Sequence, residues 1–318
     1  MSPFVPGYHP AQIPLRFLDH HTVDWSRVQR SDYLIHQRVS YDYPSPAREL
    51  RHRLVVVPAD QHGQQRLYDY KIQVFPAALS QEERIDEFGN RILDFYLPEV
   101  ADTLVFEVWS TLQQQVGNAT RPRVAAGQAH DYLQPTRLTA IDEKLTAVAA
   151  QLRQQHAEPY QLADAINRWV YGAMRYERGL TVVTTTAAEA LALGGGLCQD
   201  FAHVMLAICR AAGLPARYVS GHLLGEGGSH AWVEVLLPAT PAAAAGSDRI
   251  AWAFDPTNHC LATHNYITIA VGRDYADVSP TSGSFFAAAP GQLAIRKRAG
   301  LTAVAYADGE VVRAEDGA

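Results

Sequence analysis

Apolar residues change their period once along this chain, and that change constrains the fold more than any other feature. Between about residues 33 and 115 they recur at every second position. YLIHQRVSYDY, RLYDYKIQVFP and TLVFEVWSTL carry the alternation, with LRHRLVVVP and NRILDFYLPE as shorter runs of the same kind. Turn signals part them: Pro44 and Pro46, DQHG at 60–63, Pro76, and FGN at 88–90. Period two belongs to strands that bury one face. Short strands with turns between them over residues 31–125 predict an antiparallel β-sandwich. Residues 1–30, rich in proline and histidine without periodicity, read as an arm.

From residue 126 the period becomes helical. Residues 126–155 hold a loop-like linker and then TAIDEKLTAVAAQLRQQ, where Thr139 is placed to cap a helix carrying Ile141, Leu145, Val148 and Leu152. EPYQLADAINRWVYGAMRY predicts a second helix with Leu162, Ile166, Trp169 and Val170 on one face. A third follows in QDFAHVMLAICRAAGLP, whose Phe201, Val204, Met205, Ile208 and Ala212 form one stripe closed by Gly213 and Pro215. Two strands then appear, SHAWVEVLLP and RIAWAFDP, joined by the alanine-rich PATPAAAAGS. The chain therefore reads as α+β: a sandwich, then a core of helices packed on an antiparallel sheet over 156–290, then a C-terminal extension at 291–318.

Composition excludes several function classes. A formal charge of −6 without a basic face argues against a nucleic-acid partner. No apolar stretch approaches the roughly 20 residues of a spanning helix, so no membrane partner is expected. The N-terminus lacks a basic segment followed by an apolar one, so no signal peptide is expected either. Three cysteines, an odd count without framework spacing, fit a reducing compartment and a cytoplasmic location.

One of those cysteines stands out. In GGGLCQDFAH, Cys198 falls at the start of the third helix, where unpaired N–H groups and the positive end of the dipole favour a thiolate. The glycines before it, Gly196 among them, leave room for a substrate backbone, and the Cys198 N–H is placed to donate to an oxyanion. Cys209, inside the apolar helix, reads as a small buried hydrophobe. A thiol nucleophile needs a base and a group that orients the base. His230 opens the first strand of the hairpin, on the face shared with Trp232, Glu234 and Leu236, and Asp255 closes the second. Pairing His230 with Asp255 puts the turn between Ala242 and Ala243, the middle of the observed loop. Directly opposed residues project from one face about 5 Å apart, and a two-residue slip preserves the face where a one-residue slip does not.

Gln199, His222, Trp232 and Asn258 are candidates to line the cleft. Asp200 and His203 read as structural neighbours of the helix start. Metal binding by Cys198, His203, Cys209, His230, His259 and Cys260 is a rival reading. Against it, Cys198 and His203 lie about 140° apart round a helix and no CxxC or HxxxH pair exists. No metal and no cofactor is expected. A binding module that keeps the fold without the chemistry is a second rival.

GGGLCQDFAHVMLAICRAAGLPARYVSGHL, SHAWVEVLLP and WAFDPTN resemble the core of the transglutaminase-like superfamily in its bacterial branch. IHQRVSYDYPSPARELRHRLVVVP through DEFGNRILDFYL is similar to the β-rich region preceding that core, and VGRDYADVSP to the segment following it. The resemblance spans roughly 33–290. It implies a papain-like α+β core and a Cys-His-Asp triad at Cys198, His230 and Asp255. It also implies acyl transfer or hydrolysis on a protein or peptide amide through a thioester. Members include crosslinking transglutaminases, cysteine proteases and peptide amidases, so proteolysis or amidase activity with the same triad is the alternative. No acidic loop comparable to the calcium sites of eukaryotic members is present.

Overall fold

The computed structural model describes residues 16–115, 121–225, 227–239 and 247–314. The alternating segments form two antiparallel sheets. One has six strands, ordered Val311–Arg313, Gln292–Tyr306, Val28–Asp42, Thr103–Gln115, Gln65–Phe75 and Gln61–His62. The other has four, ordered Thr281–Phe286, Ala47–Leu54, Arg91–Val100 and Ser80–Ile85. Their facing sides meet in one apolar core, where Val39, Phe106 and Val108 of the first sheet join Leu50, Leu54, Leu93, Phe95 and Leu97 of the second. This is the expected sandwich, with one difference in its construction. The residues read as a C-terminal extension, 291–318, instead supply two strands to the six-stranded sheet, Gln292–Tyr306 running beside the whole of Val28–Asp42, and Thr281–Phe286, read as the end of the catalytic core, joins the four-stranded one. The described part of the arm is held too: Leu18 N–H donates to Leu301 O (2.9 Å), and the Phe17 ring lies against Gly300.

Among the described residues five α-helices follow the strand Thr103–Gln115: α1 (Ala126–Asp131), α2 (Glu143–Gln155), α3 (Pro159–Ala173), α4 (Ala187–Leu193) and α5 (Cys198–Ala211). The cap of α2 is Asp142, whose carboxylate accepts from Leu145 N–H at 2.7 Å, and not Thr139. Thr139 lies outside the helix and hydrogen-bonds Thr136 and the Arg210 guanidinium. α5 was expected to bury one stripe, yet every residue from Asp200 to Arg210 is buried. The reason is its position: α2, α3 and α4 pack on one side and the strand His230–Pro238 on the other. A helix enclosed in this way buries its full circumference. Cys209 is inside it as expected, and burial pushes its thiol up to about 12.

The core sheet is antiparallel, ordered Cys260–Leu261, Arg249–Asp255, His230–Pro238, Ala216–Leu223 and Tyr266–Gly272. Its helix-facing side carries Ala231, Val233, Val235 and Leu237. The opposite side carries His230, Trp232 and Glu234 and turns toward the sandwich. There Glu234, fully enclosed, takes Arg217 Nε at 2.7 Å and His62 Nε2 at 2.7 Å. Burial alone would raise the Glu234 carboxyl, but the Arg217 and His62 charges hold it down at about 2.

Tyr266–Gly272 is the edge of this sheet, and its outward backbone groups need partners. Side-chain amides of the sandwich provide them. Gln65 donates to Thr268 O (2.7 Å) and accepts from Thr268 N (2.9 Å). Asn90 does the same with Val271 O (2.7 Å) and Val271 N (2.8 Å), and Gln114 donates to Tyr266 O (2.8 Å). The sandwich thus continues the sheet's ladder in side chains and fixes the strand that carries Tyr266.

Candidate active site

The start of α5 is set by what precedes it. α4 opens with a capping box between Thr186 and Glu189 and ends at Gly194, which has φ 68° as the left-handed C-cap. Gly195 and Gly196 then pair in parallel with Arg175 and Tyr176. A Cβ on Gly195 would sit 2.8 Å from Arg175 O, and one on Gly196 2.4 Å from Asp200 Oδ2. The protein's own contacts therefore require these glycines. Buried Gly196 makes way for the Asp200 carboxylate, not for substrate as the sequence suggested.

Asp200 is buried two residues into the helix and accepts from Leu197 N–H and Thr181 Oγ1, both at 2.7 Å. Burial raises its carboxyl against the lowering effect of those two donors. By holding Leu197 N–H it fixes the entry to the helix. Cys198 N–H then comes first among the N–H groups that have no intrahelical acceptor. The Cys198 side chain is half-buried at this end.

His230 and Asp255 arrive from the hairpin. The observed register pairs Val233 with Phe254 and Pro238 with Arg249, two residues from the pairing expected, and the turn itself lies outside the described residues. A two-residue offset keeps both side chains on one face, as diagonal neighbours. His230 Nε2 lies 2.7 Å from Asp255 Oδ2. The Cys198 side chain is a second hydrogen-bond partner of His230. Burial opposes charge on the imidazole. The hydrogen bond to Asp255 and then that to Cys198 outweigh it and push His230 up to about 10.

Asp255 is wholly buried, and five bonds meet it. Oδ1 accepts from Thr257 N (2.8 Å) and Asn258 N (3.2 Å). Oδ2 accepts from Tyr266 OH (2.7 Å) and Asn258 Nδ2 (2.8 Å) as well as from His230. Burial would raise this carboxyl, but His230, Tyr266 and Asn258 bring it below its ordinary range. Burial, and then the Asp255 charge, keep Tyr266 protonated and so a donor. Tyr266 was absent from the sequence reading. Its only signal was an aromatic residue opening the strand YITIAVG.

The remaining candidates divide. Exposed Asn258 belongs to the site by holding Asp255, and half-buried Gln199 reaches Val183 O at 3.1 Å beside the thiol. Trp232 is buried, its ring stacked on His230 at 6.3 Å and edge-on to Tyr266 at 5.3 Å. That ring lies so close to Gly221 that a Cβ there would meet it at 2.4 Å and Ile267 O at 2.1 Å. Glycine inside the strand Ala216–Leu223 signals such an approach. His222 is buried with Nδ1 at 3.3 Å from Gly228 O, and burial lowers its imidazole to about 3. His203 is likewise buried and accepts from Tyr275 N. The pool of six possible metal ligands does not converge. Among the described residues the one group whose ligand atoms gather is Asp19, His20 and His21, on the arm.

A helix-start thiol, an imidazole and a buried carboxylate joined in series, on a helix-and-sheet core, define a papain-like thiol-acid-base class. The chain belongs to the transglutaminase-like superfamily, which places it among thiol-dependent hydrolases and transferases. The model of the transglutaminase-like superfamily matches residues 146–253, ending just short of Asp255. That of the bacterial transglutaminase-like N-terminal region matches 33–113. An uncharacterised protein of Mycobacterium leprae is 32% identical over 265 residues, covering 77% of this chain and 90% of its own. Another, from Mycobacterium bovis, is 28% identical over 284 residues, covering 80% and 87%. A solved structure from Cytophaga hutchinsonii, provisionally described as a cysteine protease, shares the fold. Its TM-score is 0.70 at 21% identity, covering 90% of this chain and 94% of that one.

Proposed function

We propose that this protein transfers or hydrolyses acyl groups of a protein or peptide amide through a thioester on Cys198. The observation that carries the reading is His230, buried and hydrogen-bonded to both Asp255 and Cys198. The Cys198 thiolate adds to the amide carbonyl carbon, and the developing oxyanion is met by the Cys198 N–H. Collapse breaks the C–N bond while the His230 imidazolium gives its proton to the departing ammonia or amine. Water or a primary amine then attacks the thioester, His230 takes the proton from it, and the thiolate leaves. Asp255 holds the ring in the orientation that both proton transfers require.

Incubating the protein with a library of glutamine-containing peptides, with and without a primary amine, tests the proposal. Mass spectrometry separates amine incorporation, deamidation and chain cleavage. At least one of the three products is expected, and none with Cys198→Ala. Product formation that survives Cys198→Ala refutes the reading.

A further inference from the structure

The segment leading to the nucleophile shows an unusual combination of fixed backbone and exposed apolar side chains. Between Tyr176 and Thr186 the chain lies against the start of α5 and is pinned along its length. Glu177 N–H donates to Gly196 O (3.0 Å) and Thr181 Oγ1 to Asp200 Oδ2 (2.7 Å). Gln199 Nε2, one residue past the thiol, donates to Val183 O (3.1 Å). Val182 N–H reaches Thr185 Oγ1 (3.0 Å), and Thr185 N–H returns to Val182 O (2.9 Å). Despite this anchoring, Val182 is 67% exposed, Val183 55% and Tyr176 54%. A mobile loop would expose such side chains incidentally, whereas this one holds them out beside Cys198. Exposed apolar groups gathered at one place mark a surface that is covered in use.

We infer that this loop is a subsite for the acyl donor. It takes an aliphatic or aromatic side chain of the peptide, close in sequence to the residue whose carbonyl reaches Cys198. The inference rests on the acyl-transfer reading of Cys198 and names the substrate class for it: segments with apolar, not charged, residues flanking the reacting amide. The occupant is the substrate because the surface adjoins the nucleophile. Tyr176 pairs with Gly196, Thr181 holds Asp200 and Gln199 holds Val183, so a chain delivering a carbonyl to Cys198 passes over them. Tyr171, 49% exposed, is a further apolar group near the site, stacked on His259 at 5.5 Å in the turn that follows Asp255.

Binding is measured on Cys198→Ala, so that it is independent of turnover. Two fluorescein-labelled glutamine peptides serve as probes in fluorescence anisotropy, one flanked by valine and leucine and one by aspartate and serine. The apolar peptide is expected to bind on the order of tenfold more tightly. Val182→Asp with Val183→Asp in the same background should erase the difference, with the circular dichroism spectrum unchanged. Equal affinities, no binding of either peptide, or a preference that survives the double substitution overturns the inference. So does a double variant that loses only self-association in sedimentation, since the surface then covers a second copy. Selective binding by Cys198→Ala without turnover by the unaltered protein upholds the subsite and refutes acyl transfer instead.

Discussion

Replacing Asp255 by asparagine keeps the shape of the side chain and removes its charge. The carboxylate now accepts from two backbone N–H groups, the Asn258 amide, the Tyr266 hydroxyl and His230. An asparagine has one oxygen for those donors and turns an NH2 toward the rest. The consequence for His230 is electrostatic. Its imidazole stands at about 10 against an ordinary 6.5, a preference for the charged form of roughly 5 kcal/mol. The bond to Asp255 is the largest contribution raising it, and burial, the largest effect of all, works the other way. In Asp255→Asn only Cys198 remains to oppose burial, so His230 should fall by about three to four pH units. The sign is fixed by which form is favoured. Imidazolium persists below about pH 10 in the unaltered protein and is lost above it, whereas in the variant it is already lost near or below neutrality. Proton delivery to the leaving group fails accordingly, and turnover at neutral pH should drop by about 10² to 10⁴. The assays are the pH profile of turnover and the His230 ring-proton titration by NMR. A His230 midpoint that stays above pH 9 in Asp255→Asn, or an unmoved alkaline limb, refutes the reasoning.

Tyr266→Phe removes one charge-assisted bond to Asp255 and leaves a more basic carboxylate facing His230, so the alkaline limb should move up by about one pH unit with turnover reduced roughly tenfold as Asp255 loses an anchor. A loss of turnover with an unshifted limb would make Tyr266 merely structural. Gly221→Ala puts a methyl group into the Ile267 carbonyl and the Trp232 ring, and urea denaturation should show a loss of about 3 kcal/mol; an unchanged midpoint contradicts the packing described. Glu234→Gln leaves buried Arg217 short of its partner charge and should cost about 3 to 5 kcal/mol. Glu234 is held down at about 2 from an ordinary 4.5, so its stabilisation is complete above 4.5 and lost as pH falls toward 2. Denaturation midpoints across that window should lose part of their pH dependence in the variant, and an identical profile sinks the assignment.

The sequence carried the nucleophile's position and the face of the hairpin because both follow from local periodicity. Cys198 is located by the stripe that begins at Phe201, and His230 and Asp255 by alternation within two strands joined by one loop. The register came out two residues away, since turn length sets it and alternation cannot detect an even slip. What was not legible depends on distant pairing. Tyr266 reaches Asp255 only because its strand lies across the sheet, beside Ala216–Leu223 and edged by Gln65, Asn90 and Gln114. Gln292–Tyr306 is rich in alanine and arginine and shows no clean alternation, so its place beside Val28–Asp42 emerges only from tertiary structure. α4 was missed although its signals, the Thr186 and Glu189 capping box and Gly194, stand in the sequence. The glycines were read for function when each answered to a neighbour: the end of α4, the Arg175 carbonyl, the Asp200 carboxylate.

The central claim is that His230 makes Cys198 the reactive thiol of this chain. Alkylation by limiting iodoacetamide at mildly acidic pH, mapped by peptide mass spectrometry, compares half-buried Cys198 directly with exposed Cys260. Cys198 should be modified well before the more accessible Cys260, and His230→Ala should abolish that preference. Modification of Cys260 first, or a preference for Cys198 that survives His230→Ala, would contradict it.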